Sequence, residues 1–329
     1  MATFSKTGFK TLNYNSFRPH YPASFYQILQ NYVVNGDKSR VFPIDKAIDL
    51  GCGSGVASYP LLNFSKEVIG LDLSPLMIET ANSLKAARLE EMGIENQESI
   101  QFVASSVEDF VTKKEDNSLT KTDLDIELES VDLITAAQCI HWFDDHELFF
   151  RKAYKLLKPG GVLAYWYYID PVITNFSNGQ TIDADSKAEI LRKLDDLYHK
   201  YVYQDPKLMG PHWEQPGRDI LKNELESVNA KIPRDLYVDI QQSKFRPSTD
   251  PVPKEQDLNI VKSNTDLKAF ENYIGTYSGY HNYKQATGDP HNLIESLMRE
   301  MESLIGDRST THIDLTFNTG YVFMRKASQ

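Results

Sequence analysis

The stretch Lys46-Ala47-Ile48-Asp49-Leu50-Gly51-Cys52-Gly53-Ser54-Gly55 constrains the fold more than any other part of the chain. An apolar run leads into an acidic residue and then into three glycines at alternate positions, followed by Val56, Ala57 and Ser58. The pattern predicts a buried strand, a tight turn and a helix N-terminus. Glycine suits a backbone that turns sharply and lets a ligand approach without a Cβ in the way. Such a turn is a usual seat for a nucleotide. The dinucleotide fingerprint Gly-x-Gly-x-x-Gly does not fit, because its third glycine, counted from Gly51, falls on Val56. Asp49 would repel a pyrophosphate and favour a ligand that is cationic at this point.

Strand and helix patterns alternate from Lys46 onward, which predicts a parallel sheet covered on both faces. Residues 67–72 read as the second strand, with Ser74 as cap and Pro75 as the first residue of the helix that follows. Asp72 ends that strand, about 20 residues after the glycine loop, where a carboxylate holds ribose hydroxyls. Residues 100–104, 130–136 and 162–166 read as strands three to five, and 144–157 as a helix. A helix over 23–34 precedes the sheet. The polar run 112–130 reads as a surface insertion. Asp170-Pro171 reads as a strand break, 236–245 as a strand, and 265–285 as one aromatic-rich helix. Residues 312–317 and 321–324 suggest a hairpin-like end to the sheet.

The 329 residues carry a net charge of −11, which disfavours nucleic-acid binding, because phosphate recognition needs clustered Lys and Arg. Two cysteines, Cys52 and Cys139, make neither a disulfide framework nor a metal-ligand pattern. No signal peptide and no membrane-spanning apolar run is read, so a cytoplasmic chain without metal or membrane partner is expected.

Asp49 to Gly55 resembles the first motif of the class I S-adenosylmethionine-dependent methyltransferases. The turn Lys158-Pro159-Gly160-Gly161 is frequent at the same place in that family, so the core likeness covers residues 46–168. The segment Gly210-Pro211-His212-Trp213-Glu214-Gln215-Pro216-Gly217-Arg218 looks like part of the fungal trans-aconitate methyltransferases. So do Tyr14, Arg18-Pro19, Tyr21-Pro22, His141-Trp142-Phe143 and the Tyr277-to-His281 region, and this likeness extends over most of the chain.

The resemblance implies an α/β fold: a Rossmann-like, seven-stranded, mostly parallel sheet with helices on both faces, an antiparallel C-terminal strand and a helical cap. Its parts would be an N-terminal lid segment (1–45), a cofactor core (46–168) and a substrate cap with the final strands (169–329). It implies S-adenosyl-L-methionine as cofactor, held by Asp49, Gly51, Gly53, Gly55, Asp72, Leu73, Ser106, Val107 and Ala137, with Tyr14 and Arg18 from the lid. Ser106 stands where the family commonly has Asp. The Asn/Asp-Pro-Pro-Tyr motif of enzymes that methylate DNA-base amino groups is missing after strand four.

The implied reaction is transfer of a methyl group to a small carboxylic acid, trans-aconitate or a relative, by a monomeric enzyme. Gln138 and His141 face the chemistry as candidate catalytic residues, His141 either as a base or as a pocket wall. Arg218, Trp213, Trp142, Tyr280 and His281 form the candidate acceptor site, with Arg18 a second cation for a carboxylate. Methylation of a terpenoid or drug-like acid, a phenol or an amine stays an alternative, as does non-catalytic cofactor binding.

Overall fold

A computed structural model describes residues 17–35, 42–106, 126–251 and 257–327. Its centre is an eight-stranded mixed sheet, comprising β1 (Ile44–Leu50), β2 (Ser65–Asp72), β3 (Ile100–Ala104), β4 (Val131–Ala137), β5 (Leu157–Ser177), β6 (Tyr237–Phe245), β7 (Val261–Asp266) and β8 (His312–Lys326). The order is β3-β2-β1-β4-β5-β8-β6, with β7 also paired to β8. Strands β1 to β5 pair in parallel, and β8 runs antiparallel to β5, β6 and β7. The order reverses between β1 and β4. That switch point opens a crevice beyond the C-terminal strand ends, where α/β sheets of this kind seat their ligands. This is the Rossmann-like, mostly parallel arrangement expected from the sequence, with eight strands in place of the expected seven because β7 adds to β8.

The C-terminal parts of the central strands are mostly apolar and buried because both faces are covered there. Helix α1 (Ala23–Asn35) lays Phe25, Leu29 and Val33 on one face, against Trp166 and Phe323. On the opposite face Ile48, Leu50, Leu163 and Tyr165 share a core with Phe149 and Phe150 of α3 (His146–Leu156). Between them, α2 (Pro75–Glu91) starts as its sequence predicts, with Pro75 in its first turn and the Ser74 side chain accepting from the Met77 amide.

Four differences from the sequence reading bear on the site. Residues 312–326 form one continuous strand, not a hairpin. Gly320 lets the ring of Tyr167 pack directly on its Cα, so it serves close packing rather than a turn. Strand β5 does not stop at Asp170-Pro171 but shifts register between Tyr168 and Pro171 and continues to Ser177. The 265–285 region is two helices, α6 (Leu267–Ile274) and α7 (Ser278–Thr287), parted at Gly275-Thr276-Tyr277, and this parting turns the Thr276 carbonyl toward Arg18. Strand β7 is not legible in the sequence, because Val261-Lys262-Ser263-Asn264-Thr265-Asp266 is polar and mostly exposed. Between β5 and β6 lie α4 (Ala184–His199), extended by a widened turn over Lys200–Gln204, and the short α5 (Gly217–Lys222). Most of the 112–130 insertion lies outside the described residues. No helix among the described residues is long and apolar enough to cross a membrane.

Candidate active site

The three loop glycines all have positive φ, at +61°, +55° and +86°, but for different reasons. A Cβ on Gly51 would lie 2.5 Å from Cys139 Cβ and 2.7 Å from its Sγ, so this glycine lets the loops after β1 and β4 meet. A Cβ on Gly55 would strike Phe102 and Tyr59, so that glycine serves the core, and it does not line the cavity. Among the described residues nothing lies within 4 Å of a Cβ position on Gly53, which borders a cavity of about 770 Å³. That volume falls within the roughly 300–1,000 Å³ usual for small-molecule and cofactor sites.

Gly51, Gly53, Asp72, Leu73, Ser106, Ala137 and Arg18 all border this cavity. Asp72 is half-buried at its wall and fixed from both sides, accepting from Gly53 N at 2.9 Å and Ser74 N at 2.8 Å. Burial raises its pKa. Leu73 is 60% exposed and offers an apolar wall for a flat group. Tyr14 and Val107 lie outside the described residues. Asp49 does not border the cavity, contrary to the expectation that its carboxylate meets the ligand directly. It is fully buried beneath the loop, accepting from Ser58 Oγ at 2.6 Å and Thr135 Oγ1 at 2.7 Å. Burial pushes its pKa up to about 6, against the pull of those two hydroxyls.

After β4 the chain bends at Gln138, whose φ is +59°. Its amide is engaged: Nε2 donates to Tyr168 O and Oε1 accepts from Tyr168 N, both at 2.8 Å. Gln138 thus holds β5 just before the register shift, and the bond it donates commits one of its two Nε2 hydrogens while the residue borders both cavities. Cys139 is buried with Sγ 3.0 Å from Leu50 O, and burial raises its thiol pKa well above the ordinary value. His141 borders the cavity but is nearly enclosed, stacked obliquely on Trp142 with ring centres 4.8 Å apart. Its Nδ1 is buried without a hydrogen-bond partner among the described residues. Burial, helped by the positive charge of Arg218, lowers its pKa to about 3, so the imidazole is neutral at working pH.

Behind Gln138, His141 and Trp142 lies a smaller chamber of about 50 Å³. Arg18 and Arg218 both border it, as do Asp170, Trp213, Tyr277 and Ser278. Arg218 is buried, its Nη2 2.7 Å from Asp170 Oδ1 and its guanidinium 4.2 Å above the Trp213 ring. The Nε of Arg218 is buried without an acceptor among the described residues. Arg18 donates to Thr276 O at 3.0 Å and lies over the Tyr277 ring. Two candidate residues stand elsewhere: Tyr280 donates to Asp289, and neither it nor His281 borders either cavity. Sequence reasoning misses Asp170, Tyr198, Tyr203 and Thr276. It reads Asp170 only as part of a strand break, although a carboxylate next to a proline inside an apolar run is itself a signal of a purposeful bulge.

Residues 48–165 match the family model for a methyltransferase domain. Across nearly the whole chain there is 24% identity, covering 98% of both proteins, with the probable S-adenosylmethionine-dependent methyltransferase CRG1 of Saccharomyces cerevisiae. The methyltransferase ptaI of Pestalotiopsis fici is 27% identical, over 89% of this chain and 86% of that protein. Among solved structures, a candidate type II methyltransferase from Anaeromyxobacter dehalogenans shares the fold with a TM-score of 0.60 at 19% identity, covering 95% of this chain and all of that one.

Proposed function

We propose that this chain, an S-adenosylmethionine-dependent methyltransferase of class I, forms a methyl ester on a small carboxylic acid, with trans-aconitate and related acids as first candidates. The observation that carries the reading is the inner chamber, bordered by two guanidiniums and one carboxylate beside the residues that follow β4. The cofactor fits the larger cavity: Asp72 is held ready for ribose hydroxyls, Gly53 leaves the room a side chain would fill, and Leu73 supplies an apolar wall. When bound, it supplies an activated methyl group, which an acceptor oxygen takes while the carbon–sulfur electron pair returns to sulfur.

The protein has little else to do than position and desolvate the acceptor. A carboxylic acid ordinarily titrates at about pH 4 and is already deprotonated at neutral pH, so its oxygen attacks without a base. Burying an unpaired carboxylate is costly, and fixed guanidiniums offset that cost. A phenol or amine would need its proton removed, and His141, neutral with its pKa near 3, is a weak base for that. Replacement of His141 by alanine is therefore expected to lower kcat by less than about tenfold, through packing against Trp142, with no rescue by imidazole. A loss of four decades that imidazole restores would assign base catalysis and argue for a different acceptor.

Asp49 sets a pH dependence. Its folded pKa of about 6 exceeds the ordinary 3.8, so the folded chain binds this proton more tightly than the unfolded chain. Ionised Asp49 thus costs the unliganded fold on the order of 3 kcal/mol above pH 6, and the cost is relieved as pH falls through 6 toward 4. A cationic cofactor group above the loop favours the ionised form, so affinity should weaken as pH falls through about 6. Calorimetric titration with S-adenosylhomocysteine across that range should show this slope in wild type and lose it in Asp49→Asn. An equal slope in both would remove Asp49 from cofactor recognition.

The proposed reaction is tested by incubating the protein with methyl-labelled cofactor and a mixture of small mono-, di- and tricarboxylic acids, followed by mass spectrometry. The expected product carries the labelled methyl and loses it to esterase. Labelled product only on phenols or amines added to the same mixture would replace the reading.

A further inference from the structure

Two indoles border the inner chamber, Trp142 and Trp213, and each is seated on a glycine. A Cβ on Gly217, the first residue of α5, would lie 2.4 Å from Cε3 and Cζ3 of Trp142. A Cβ on Gly279, in the first turn of α7, would lie 2.8 and 2.9 Å from Cδ2 and Cε2 of Trp213, and 3.0 Å from Cγ of the fully buried Met209. Neither glycine has positive φ. Glycine weakens a helix relative to alanine, and no turn requires it at these two positions. Close approach of the rings is what both glycines serve.

Trp213 is fixed from further directions. Its Nε1 donates to Val202 O at 2.9 Å, and its ring stacks on that of Tyr203 with 22° between the planes. Both partners come from the widened turn over Lys200–Gln204. The Tyr277 ring lies 5.4 Å away, and the Arg218 guanidinium rests 4.2 Å from the indole centre. An indole packed this closely cannot yield to a larger ligand without moving its neighbours. The chamber it bounds, about 50 Å³ among the described residues, holds a few water molecules, which is room for one small group. We propose that Trp213, set at its depth by Gly279, is the specificity-determining wall of this chamber: it admits a carboxylate on an unbranched carbon and rejects acids branched at that carbon. This rests on the acid reading and adds what that reading leaves open, the shape of acid the site takes.

The test uses propionate and pivalate, which differ only by two methyl groups on the carbon that bears the carboxylate. Transfer of labelled methyl to each is followed on the full chain, and S-adenosylhomocysteine affinity is measured in parallel. Wild type is expected to favour propionate by about tenfold or more in kcat/KM, the scale on which a tight pocket discriminates small alkyl groups. Trp213→Phe keeps an aromatic face for Arg218 but removes bulk, and is expected to shift that ratio toward pivalate by about tenfold. Gly279→Ala displaces the indole, and is expected to raise KM for propionate by about tenfold while cofactor affinity changes less than about twofold. Adding Trp213→Phe to Gly279→Ala should recover most of that rise, because the smaller ring clears the new methyl. The inference fails, and the acid reading stands, if Trp213→Phe leaves the ratio unchanged or the double variant recovers nothing. It fails in the same way if Gly279→Ala weakens the cofactor as much as the acid, or if wild type methylates other acids but takes pivalate as readily as propionate, or neither. If wild type methylates no acid at all, the acid reading fails and the inference with it.

Discussion

Replacing Arg218 by leucine is expected to raise KM for the acid by one to four decades and to leave S-adenosylhomocysteine affinity nearly unchanged. Losing one member of a buried, charge-assisted contact costs roughly 2–5 kcal/mol, which sets that range. The structure adds a second effect. Arg218 already pairs with Asp170, and both side chains are only 10% and 11% exposed. Its loss leaves a buried carboxylate without its cation, a change that typically destabilises by about 3–5 kcal/mol. The hydroxyls of Tyr198 and Tyr203 still donate to Asp170, so the lower end applies. The two effects separate in the double variant Arg218→Leu/Asp170→Asn, which should regain most of the melting temperature but not the acid KM. Arg218→Lys should recover only part of the loss, since an ammonium cannot make a two-pronged contact. Steady-state kinetics and thermal melts on these variants decide it. Normal acid kinetics in Arg218→Leu would leave Arg18 as the cation for the acceptor.

The second large effect lies in the glycine loop. Gly51→Ala should abolish measurable cofactor binding, whereas Gly53→Ala should weaken it while keeping the fold. Both residues have positive φ, so each substitution carries strain of about 1–3 kcal/mol. At Gly51 the new methyl would also meet the Cys139 side chain at 2.5 Å and force the β1 and β4 loops apart. At Gly53 the methyl meets none of the described residues, so it obstructs what occupies the cavity. Melting curves with and without S-adenosylhomocysteine separate the two. Gly51→Ala should melt clearly lower and show no ligand-induced rise, and Cys139→Gly in the same chain should restore part of both. A Gly53→Ala protein with wild-type affinity would mean the cofactor does not approach that backbone.

Why some of this is readable in the sequence and some is not has a physical cause in each case. Glycines at alternate positions, the Ser74-Pro75 helix start and the apolar strands β1 to β5 are local statements, since turn, cap and burial depend on nearby residues. Gly320 is the counter-example. A glycine between two strand-like runs reads as a turn, yet here it makes room for the Tyr167 ring, 153 residues earlier in the chain. Arg218 can be chosen as a candidate for its chemistry, but its partner cannot, because Asp170 lies 48 residues away and meets it only through the shift in β5. Gln138 is placed by its position after β4, while its occupation by the Tyr168 backbone depends on the neighbouring strand. The boundaries of the cofactor loop are thus legible, and the pairing inside the acceptor chamber is not.

The central claim is that the acceptor atom is a carboxylate oxygen. Its most direct test is a matched set of three compounds on one carbon skeleton, an acid, its primary amide and its alcohol, chosen from the best acid found in the mixture. Each is supplied at saturating concentration with carbon-13 methyl-labelled cofactor, and the product methyl is followed by carbon-13 magnetic resonance. The account predicts a single new methyl signal, that of a methyl ester, from the acid alone. Transfer to the alcohol or the amide at a comparable rate, or a product whose methyl resists alkaline hydrolysis, would contradict it.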